Sequence, residues 1–219
     1  MKITAHSGCD ETPLNSLEYV KHAVRLPVDT LEIDIRRSKS GKLILTHDEA
    51  ADGVSLAEAF SVIAPGTLCV NCDVKEYGLE EAVLETAAEA GISSDRILFS
   101  GSVTPHKAGE WPSPIRPEQI YLNIEALAPE VYNLNGQEKL DASLRAVKLC
   151  AETGCKVINV QFRICTPEFM ACCAENGIGV SAWTPTAAAE LWYIASMNPL
   201  NITSRNPMLA KYIASTFEK

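Results

Sequence analysis

Glu32 and Asp34 alternate with Leu31, Ile33 and Ile35 in the run LEIDI, and the same stretch returns through RRSKSGK to LILTHD, ending on His47 and Asp48. On an extended strand alternate residues share a face. Both carboxylates therefore point one way and the apolar residues the other. The run at 67–74 ends the same way, with Asp73 and then Lys75. Three carboxylates without thiolate or several imidazole partners are hard oxygen ligands, suited to Mg²⁺, Ca²⁺ or Mn²⁺ rather than Zn²⁺. Carboxylate pairs are common on solvated strand faces; the apolar flanks and the recurrence of Asp73 favour the ligand reading. Of the four histidines, His6 and His47 both close apolar runs, whereas His22 falls in an amphipathic segment and His106 in a Pro-containing loop. Two histidines flanking a carboxylate cluster match what acid–base cleavage of a phosphodiester needs. One takes a proton from the attacking oxygen and the other gives one to the leaving oxygen. Lys75 and a bound metal ion would neutralise charge on the phosphoryl oxygens.

The elements that would position these groups alternate along the chain. Strand candidates are 2–6, 30–36, 43–47, 67–74, 96–101, 119–125, 156–162, 178–184 and 200–204. Between most of them run helix-period stripes such as Leu17, Val20 and Val24; Leu79, Val83 and Ala90; or Leu140, Leu144, Val147 and Ala151. Gly91, Gly154 and Gly177 mark helix ends, and Thr166-Pro167 a helix start. The spacing between 30–36 and 43–47 is too short for a parallel crossover, so these two strands are expected to form an antiparallel hairpin turning near Ser40-Gly41. That hairpin brings His47 back beside the two carboxylates. Eight parallel strands remain, the number of a (β/α)8 TIM barrel. Asn71, Asp73, Asn123, Glu125, Asn159 and Gln161 make one face of several strands polar toward the carboxyl end, where such barrels keep their active sites.

Composition narrows the class. A formal net charge of −9 on 219 residues argues against a general binder of nucleic acid or anionic membranes. No run reaches the length of a membrane span, and MKITAHSGCDE lacks the apolar core of a signal peptide; a cytoplasmic location is expected, without stable membrane insertion. Cys69 and Cys72 would face opposite sides of a strand, and Cys150, Cys155, Cys165, Cys172 and Cys173 lie in or next to apolar segments, so reduced core cysteines are expected rather than a disulfide scaffold. The sequence leaves the oligomeric state open.

Several motifs together resemble the glycerophosphodiester phosphodiesterase family. AHSG at 5–8 is similar to its A-H-R-G and TPLNSL at 12–17 to its P-E-N-T-L. LEIDIRRSKSGKLILTHD resembles its E-x-D, charged turn and H-D, and VNCDVK at 70–75 its E-x-K strand. GVSAWT at 179–184 and ITSRNP at 202–207 resemble its W-T strand and closing I-T-x-x-x-P. The resemblance implies a single barrel domain over residues 1–219. It further implies a divalent metal ion on Glu32, Asp34 and Asp73, His6 and His47 as the acid–base pair, and Ser7, Lys75 and Trp183 as substrate-binding residues. Trp183 would line the pocket, with a barrel-core aromatic as the equal alternative. The implied reaction is hydrolysis of a small glycerophosphodiester to glycerol 3-phosphate and an alcohol, with a free glycerol hydroxyl as internal nucleophile.

The pattern departs from the family in four places. Ser7 stands where an arginine would grip phosphate, Leu14 replaces a glutamate, and Asp73 is one methylene shorter than a glutamate. HDEAADGVSLAEAF also runs almost directly from the H-D motif into the next helix, where a small subdomain is usual, so an open, shallow pocket is expected. Alternatives are a phospholipase D-like barrel acting on a lipid phosphodiester and a barrel that binds a phosphate ligand without turnover. An aldolase using Lys75 would leave the carboxylates without a role.

Overall fold

The structure is a computed structural model that describes residues 1–105, 110–111 and 114–217; His106 lies outside the described residues. Nine strands form one sheet: β1 (Lys2–Ala5), β2 (Thr30–Arg37), β3 (Leu43–Leu45), β4 (Cys69–Val74), β5 (Ile97–Gly101), β6 (Tyr121–Asn123), β7 (Val157–Gln161), β8 (Gly179–Trp183) and β9 (Asn201–Ser204). Each expected strand is present, in the spatial order β5-β4-β2-β1-β9-β8-β7-β6. The neighbours along this path pair in parallel. A parallel bridge between Phe99 and Ile120 joins the two ends, so the sheet is a nearly closed barrel. The architecture is that of a (β/α)8 barrel. β3 stands off the path and pairs antiparallel with β2, Ile35 opposite Leu45. The turn between them is closed by Ser38 and Gly41, with Gly41 at φ 86°, a region that glycine enters at little cost.

The helices are α1 (Leu17–Ala23), α2 (Leu56–Ile63), α3 (Glu80–Glu89), α4 (Gly136–Glu152), α5 (Pro167–Glu175), α6 (Ala188–Ser196) and α7 (Pro207–Ser215). Side chains cap several of them as the local sequence dictates. Ser16, Ser55 and Thr166 each accept from a backbone N–H of the first turn, satisfying donors that would otherwise be orphaned. The buried face of α4 differs from the expected stripe. It runs through Ala142, Ser143, Ala146, Val147 and Cys150, while Leu140, Leu144 and Ala151 are only half-buried.

The apolar core lies between barrel and helices. Ile3, Ala5, Leu31, Ile33, Ile35, Val70, Cys72, Val74, Ile158, Val160, Val180, Ala182 and Ile202 are all buried in one hydrophobic cluster. By strand alternation their neighbours face the barrel axis. There the side chains are polar: Thr4 Oγ1 donates to Asn201 Oδ1 at 2.8 Å, and Asn201 Nδ2 donates to the Ser181 hydroxyl at 3.0 Å. β6 is shorter than expected because Ile124–Ala126 winds into a 3-10 turn; Phe162–Ile164 does the same after β7. The described cysteines form no disulfide, and no described helix is long and apolar enough to cross a membrane.

Candidate active site

The carboxyl ends of the strands surround a cavity of about 530 Å³. Among its lining residues are His6, Glu32, Asp34, His47, Asp73, Lys75 and Trp183. Seven of the eight residues singled out from the sequence thus share one cavity.

The β2–β4 register explains how the carboxylates meet. Asp34 lies directly opposite Asp73, and Glu32 opposite Asn71. Carboxylate oxygens of Glu32, Asp34 and Asp73 lie within 4.8 Å of one another. The Lys75 ammonium answers part of this charge, donating to Asp34 Oδ1 at 2.8 Å and to Asp73 Oδ2 at 2.7 Å. Burial and the Asp34 and Asp73 charges push the Glu32 carboxyl well above the usual range. Asp73 is also raised, burial outweighing Lys75. Burial would raise Asp34 too, but Lys75 and Asn15 hold it below its ordinary value. Lys75, despite its own burial, is raised by the two aspartates.

This cluster fits a divalent cation. Its donors are all carboxylate oxygens, three acids face one ammonium, and Asp73 Oδ1 is buried with no hydrogen-bond partner among the described residues. An uncompensated buried acceptor of this kind is costly unless a ligand completes it.

Space for Asp73 depends on Gly101 at the end of β5. A Cβ there would stand 2.2 Å from Asp73 Oδ1 and 2.2 Å from the Val74 carbonyl oxygen, at a φ of 83°. Gly101→Ala is therefore expected to destabilise the fold by at least about 2 kcal/mol and to displace Asp73. A thermal melt with and without Mg²⁺ checks this; an unchanged melting temperature would contradict it.

His6 follows β1 and is half-buried; desolvation, helped by the Arg205 charge, lowers its pKa against the pull of its bond to Ser7. Its Nδ1 lies 3.0 Å from the Ser7 carbonyl oxygen. A carbonyl only accepts, so the tautomer that makes this bond carries its proton on Nδ1 and keeps a lone pair on Nε2, whereas the other tautomer accepts the Arg205 Nε–H at Nδ1. His47, by contrast, is exposed, and its Nδ1 donates to Asp48 Oδ1 at 2.9 Å. The chain end carrying it is fixed by Arg36 Nε, which donates to the His47 carbonyl at 2.8 Å, and by Thr46 N, which donates to the Asp34 carbonyl.

Ser7 is placed behind the site rather than in it. It is buried, does not line the cavity, and its hydroxyl is committed to Asn15: Oγ donates to Asn15 Oδ1 at 3.1 Å and accepts from Asn15 N at 2.7 Å. Its backbone N–H donates to Glu32 Oε2 at 2.9 Å. Asn15 is a positioning residue that the sequence reading did not single out. Its Nδ2 donates to Asp34 Oδ2 at 2.7 Å, and its Oδ1 accepts from Asp34 N at 3.1 Å. The asparagine of the TPLNSL motif was the available signal. Tyr19 in α1 completes this support, its buried hydroxyl lying 2.7 Å from the Ala5 carbonyl and 2.8 Å from that of Glu32. His22, on the same helix, bonds Asp10 Oδ2 at 2.8 Å away from the cavity.

Arg205 was also missed. It lines the cavity with its Nε 3.3 Å from His6 Nδ1, and its backbone carbonyl accepts from Asp10 N at 2.9 Å. Trp183 lines the cavity from the neighbouring strand β8, its ring meeting Tyr132 edge-on at 6.1 Å.

Fold and site together define a (β/α)8 barrel with a carboxylate cluster and two histidines at its carboxyl-end mouth. Among known proteins, residues 6–81 match the model of the Glycerophosphoryl diester phosphodiesterase family. That stretch contains all the singled-out site residues except Trp183. A glycerophosphodiester phosphodiesterase of Caldanaerobacter subterraneus subsp. tengcongensis is 31% identical over 80 residues, 36% of this chain and 28% of that relative. The match thus spans little more than a quarter of the curated relative. The whole chain is similar in fold to a provisional glycerophosphoryl diester phosphodiesterase from Silicibacter pomeroyi, with a TM-score of 0.76, 14% identity, and 100% and 94% of the two chains covered. An Oleispira antarctica phosphodiesterase, solved in complex with the product sn-glycerol-3-phosphate, matches with a TM-score of 0.69 and 17% identity over 98% of this chain and 97% of the other.

Proposed function

We propose that residues 1–219 form a single catalytic barrel that hydrolyses a glycerophosphodiester to glycerol 3-phosphate and an alcohol, dependent on a divalent ion and using two histidines. The observation that carries this reading is the convergence of Glu32, Asp34, Asp73, Lys75, His6 and His47 on one cavity. The family match over residues 6–81 and the glycerol-phosphate product of the Oleispira antarctica relative support it.

Glu32, Asp34 and Asp73 would hold Mg²⁺, Ca²⁺ or Mn²⁺, which supplies positive charge beside a phosphoryl group as it becomes more negative. His6 Nε2 accepts the proton of the attacking glycerol hydroxyl. His47, paired with Asp48, gives a proton to the oxygen of the departing alcohol. The resulting cyclic phosphate opens when water attacks; His47 then takes the proton and His6 returns one, so both histidines end as they began. Lys75 and Arg205 face the phosphoryl oxygens with fixed charge.

Arg205 takes up the role that Ser7 cannot fill. With the Ser7 hydroxyl bound to Asn15, it leaves the phosphate a guanidinium at the cavity wall. Arg205→Gln is expected to raise KM by roughly tenfold, the loss of one charge-assisted hydrogen bond, and Arg205→Lys to restore part of it. Steady-state kinetics check this, and an unaltered KM in the glutamine variant would contradict it.

The activity itself is tested by following glycerol 3-phosphate release from glycerophosphodiesters with chelator and with each of the three ions. Release that the ion restores after chelation supports the reading, and a chelator-insensitive rate contradicts its ion dependence.

A further inference from the structure

Among the described residues, two groups of side chains bring three metal-ligating atoms within 4.8 Å of one another. One is the cluster of Glu32, Asp34 and Asp73. The other is Cys9, Asp10 and His22, none of which lines the cavity. Two elements supply it. Cys9 and Asp10 belong to the 3-10 turn Cys9–Glu11 that follows the His6-Ser7 segment, and His22 to the last turn of α1. His22 Nε2 and Asp10 Oδ2 stand 2.8 Å apart on side chains 38% and 30% exposed, whereas Cys9 is fully buried. The sulfur therefore lies on the protein side of an imidazole and a carboxylate that solvent reaches, which gives an ion a path of entry.

This donor set differs in kind from the one at the barrel mouth. A thiolate with an imidazole selects Zn²⁺ over Mg²⁺ and Ca²⁺, and three protein ligands with a water in the fourth place make an ordinary zinc coordination. Bonds of about 2.0–2.3 Å set tetrahedral ligand atoms roughly 3.5 Å apart, so small side-chain rotations bring this trio onto an ion. The Cys9 thiol has no role in the steps above. It forms no disulfide, and burial, with the Asp10 charge, pushes its pKa up to about 12, the opposite of an activated nucleophile. A coordinated zinc ion deprotonates a thiol outright, and its charge would answer the thiolate and the Asp10 carboxylate together.

We propose that Cys9, Asp10 and His22 form a second cation site, which takes Zn²⁺ in preference to the hard ions of the barrel mouth and braces the segment carrying His6. The connections are short. Cys9 N donates to the His6 carbonyl at 2.9 Å, and Asp10 N donates to the carbonyl of Arg205 at 2.9 Å. Arg205 Nε in turn lies 3.3 Å from His6 Nδ1. α1 reaches the same region through the Tyr19 hydroxyl on the Ala5 and Glu32 carbonyls. An ion joining the turn to α1 ties these two supports together without touching substrate. The site stands independently of the phosphodiesterase reading.

The test uses Co²⁺ as a spectroscopic stand-in for Zn²⁺ on the reduced, chelator-stripped full chain. One equivalent should give the near-ultraviolet charge-transfer band of a thiolate–cobalt bond. Zn²⁺ should displace it, and excess Mg²⁺ should not. Cys9→Ser should lack the band, and Glu32→Gln should keep it, which separates this site from the carboxylate cluster. His22→Ala changes a part-exposed side chain and spares the buried thiol. It should bind Zn²⁺ more than about tenfold more weakly, since loss of even an outer-shell partner costs that much. Zn²⁺ should also raise the melting temperature of the wild type more than that of His22→Ala. No band in the wild type, a band that survives in Cys9→Ser, or a Zn²⁺ affinity unmoved by His22→Ala would overturn the site.

Discussion

His47→Ala is expected to slow phosphodiester turnover by roughly 10²–10⁴-fold, the usual contribution of a positioned general acid or base. The fold should not notice. The side chain is 66% exposed and its partner Asp48 is 94% exposed, so removing this surface pair changes stability by no more than about 0.5 kcal/mol. Its position does not depend on the imidazole either, since the strand end is held through backbone groups by Arg36 and Asp34. A far-ultraviolet spectrum and melting temperature like those of the wild type, beside a collapsed kcat, is the expected pair of results. Full activity in a folded His47→Ala protein would remove His47 from the mechanism.

Glu32→Gln should do two opposite things: weaken binding of the ion and stabilise the ion-free protein. Glu32 is buried among Asp34 and Asp73 and its folded pKa is raised well above the ordinary value of 4.5. The sign of the linkage follows. Above the folded pKa the buried charge destabilises the fold; as pH falls through that pKa toward 4.5, protonation relieves the cost. Asp34, held low by Lys75 and Asn15, works the other way, losing its stabilisation only as pH falls through its depressed folded pKa. A glutamine at position 32 removes the unfavourable charge permanently. It can keep an amide oxygen for the Ser7 N–H and turn its amide nitrogen toward the aspartates. The ion-free variant should therefore melt a few degrees higher at neutral pH, while its affinity for Ca²⁺ or Mg²⁺ falls by about a hundredfold with the lost ligand charge. In the wild type the ion competes with the proton for a Glu32 carboxyl whose pKa burial raises, so ion binding should be coupled to proton release and tighten as pH rises. Calorimetry in buffers of different ionisation enthalpy measures that release. Proton-neutral binding, or a Glu32→Gln protein that binds the ion as before, would contradict the assignment.

Much of this was legible before the structure because each barrel strand carries its apolar residues on the outward face. Leu31, Ile33 and Ile35 mark β2 as plainly as Ile158 and Val160 mark β7. Parallel pairing then set Asp34 against Asp73 without any further device. What stayed hidden depends on contacts across long stretches of chain. Asn15 matters because a loop after β1 returns to Asp34 on β2. Arg205 matters because the chain closes the barrel beside His6. Gly101 matters only through the space it leaves for a carboxylate on the neighbouring strand. Ser7 shows the converse: a residue in the right motif whose hydroxyl the fold turns toward Asn15.

The proposed reaction breaks the phosphodiester on the alcohol side of its phosphorus. The most direct measurement is the ³¹P spectrum of a glycerophosphodiester incubated with the metal-loaded protein. The diester resonance should be replaced by that of glycerol 3-phosphate, with one equivalent of free alcohol. Appearance of the phosphorylated alcohol with free glycerol, or an unchanged diester in the presence of folded, ion-bound protein, would contradict it.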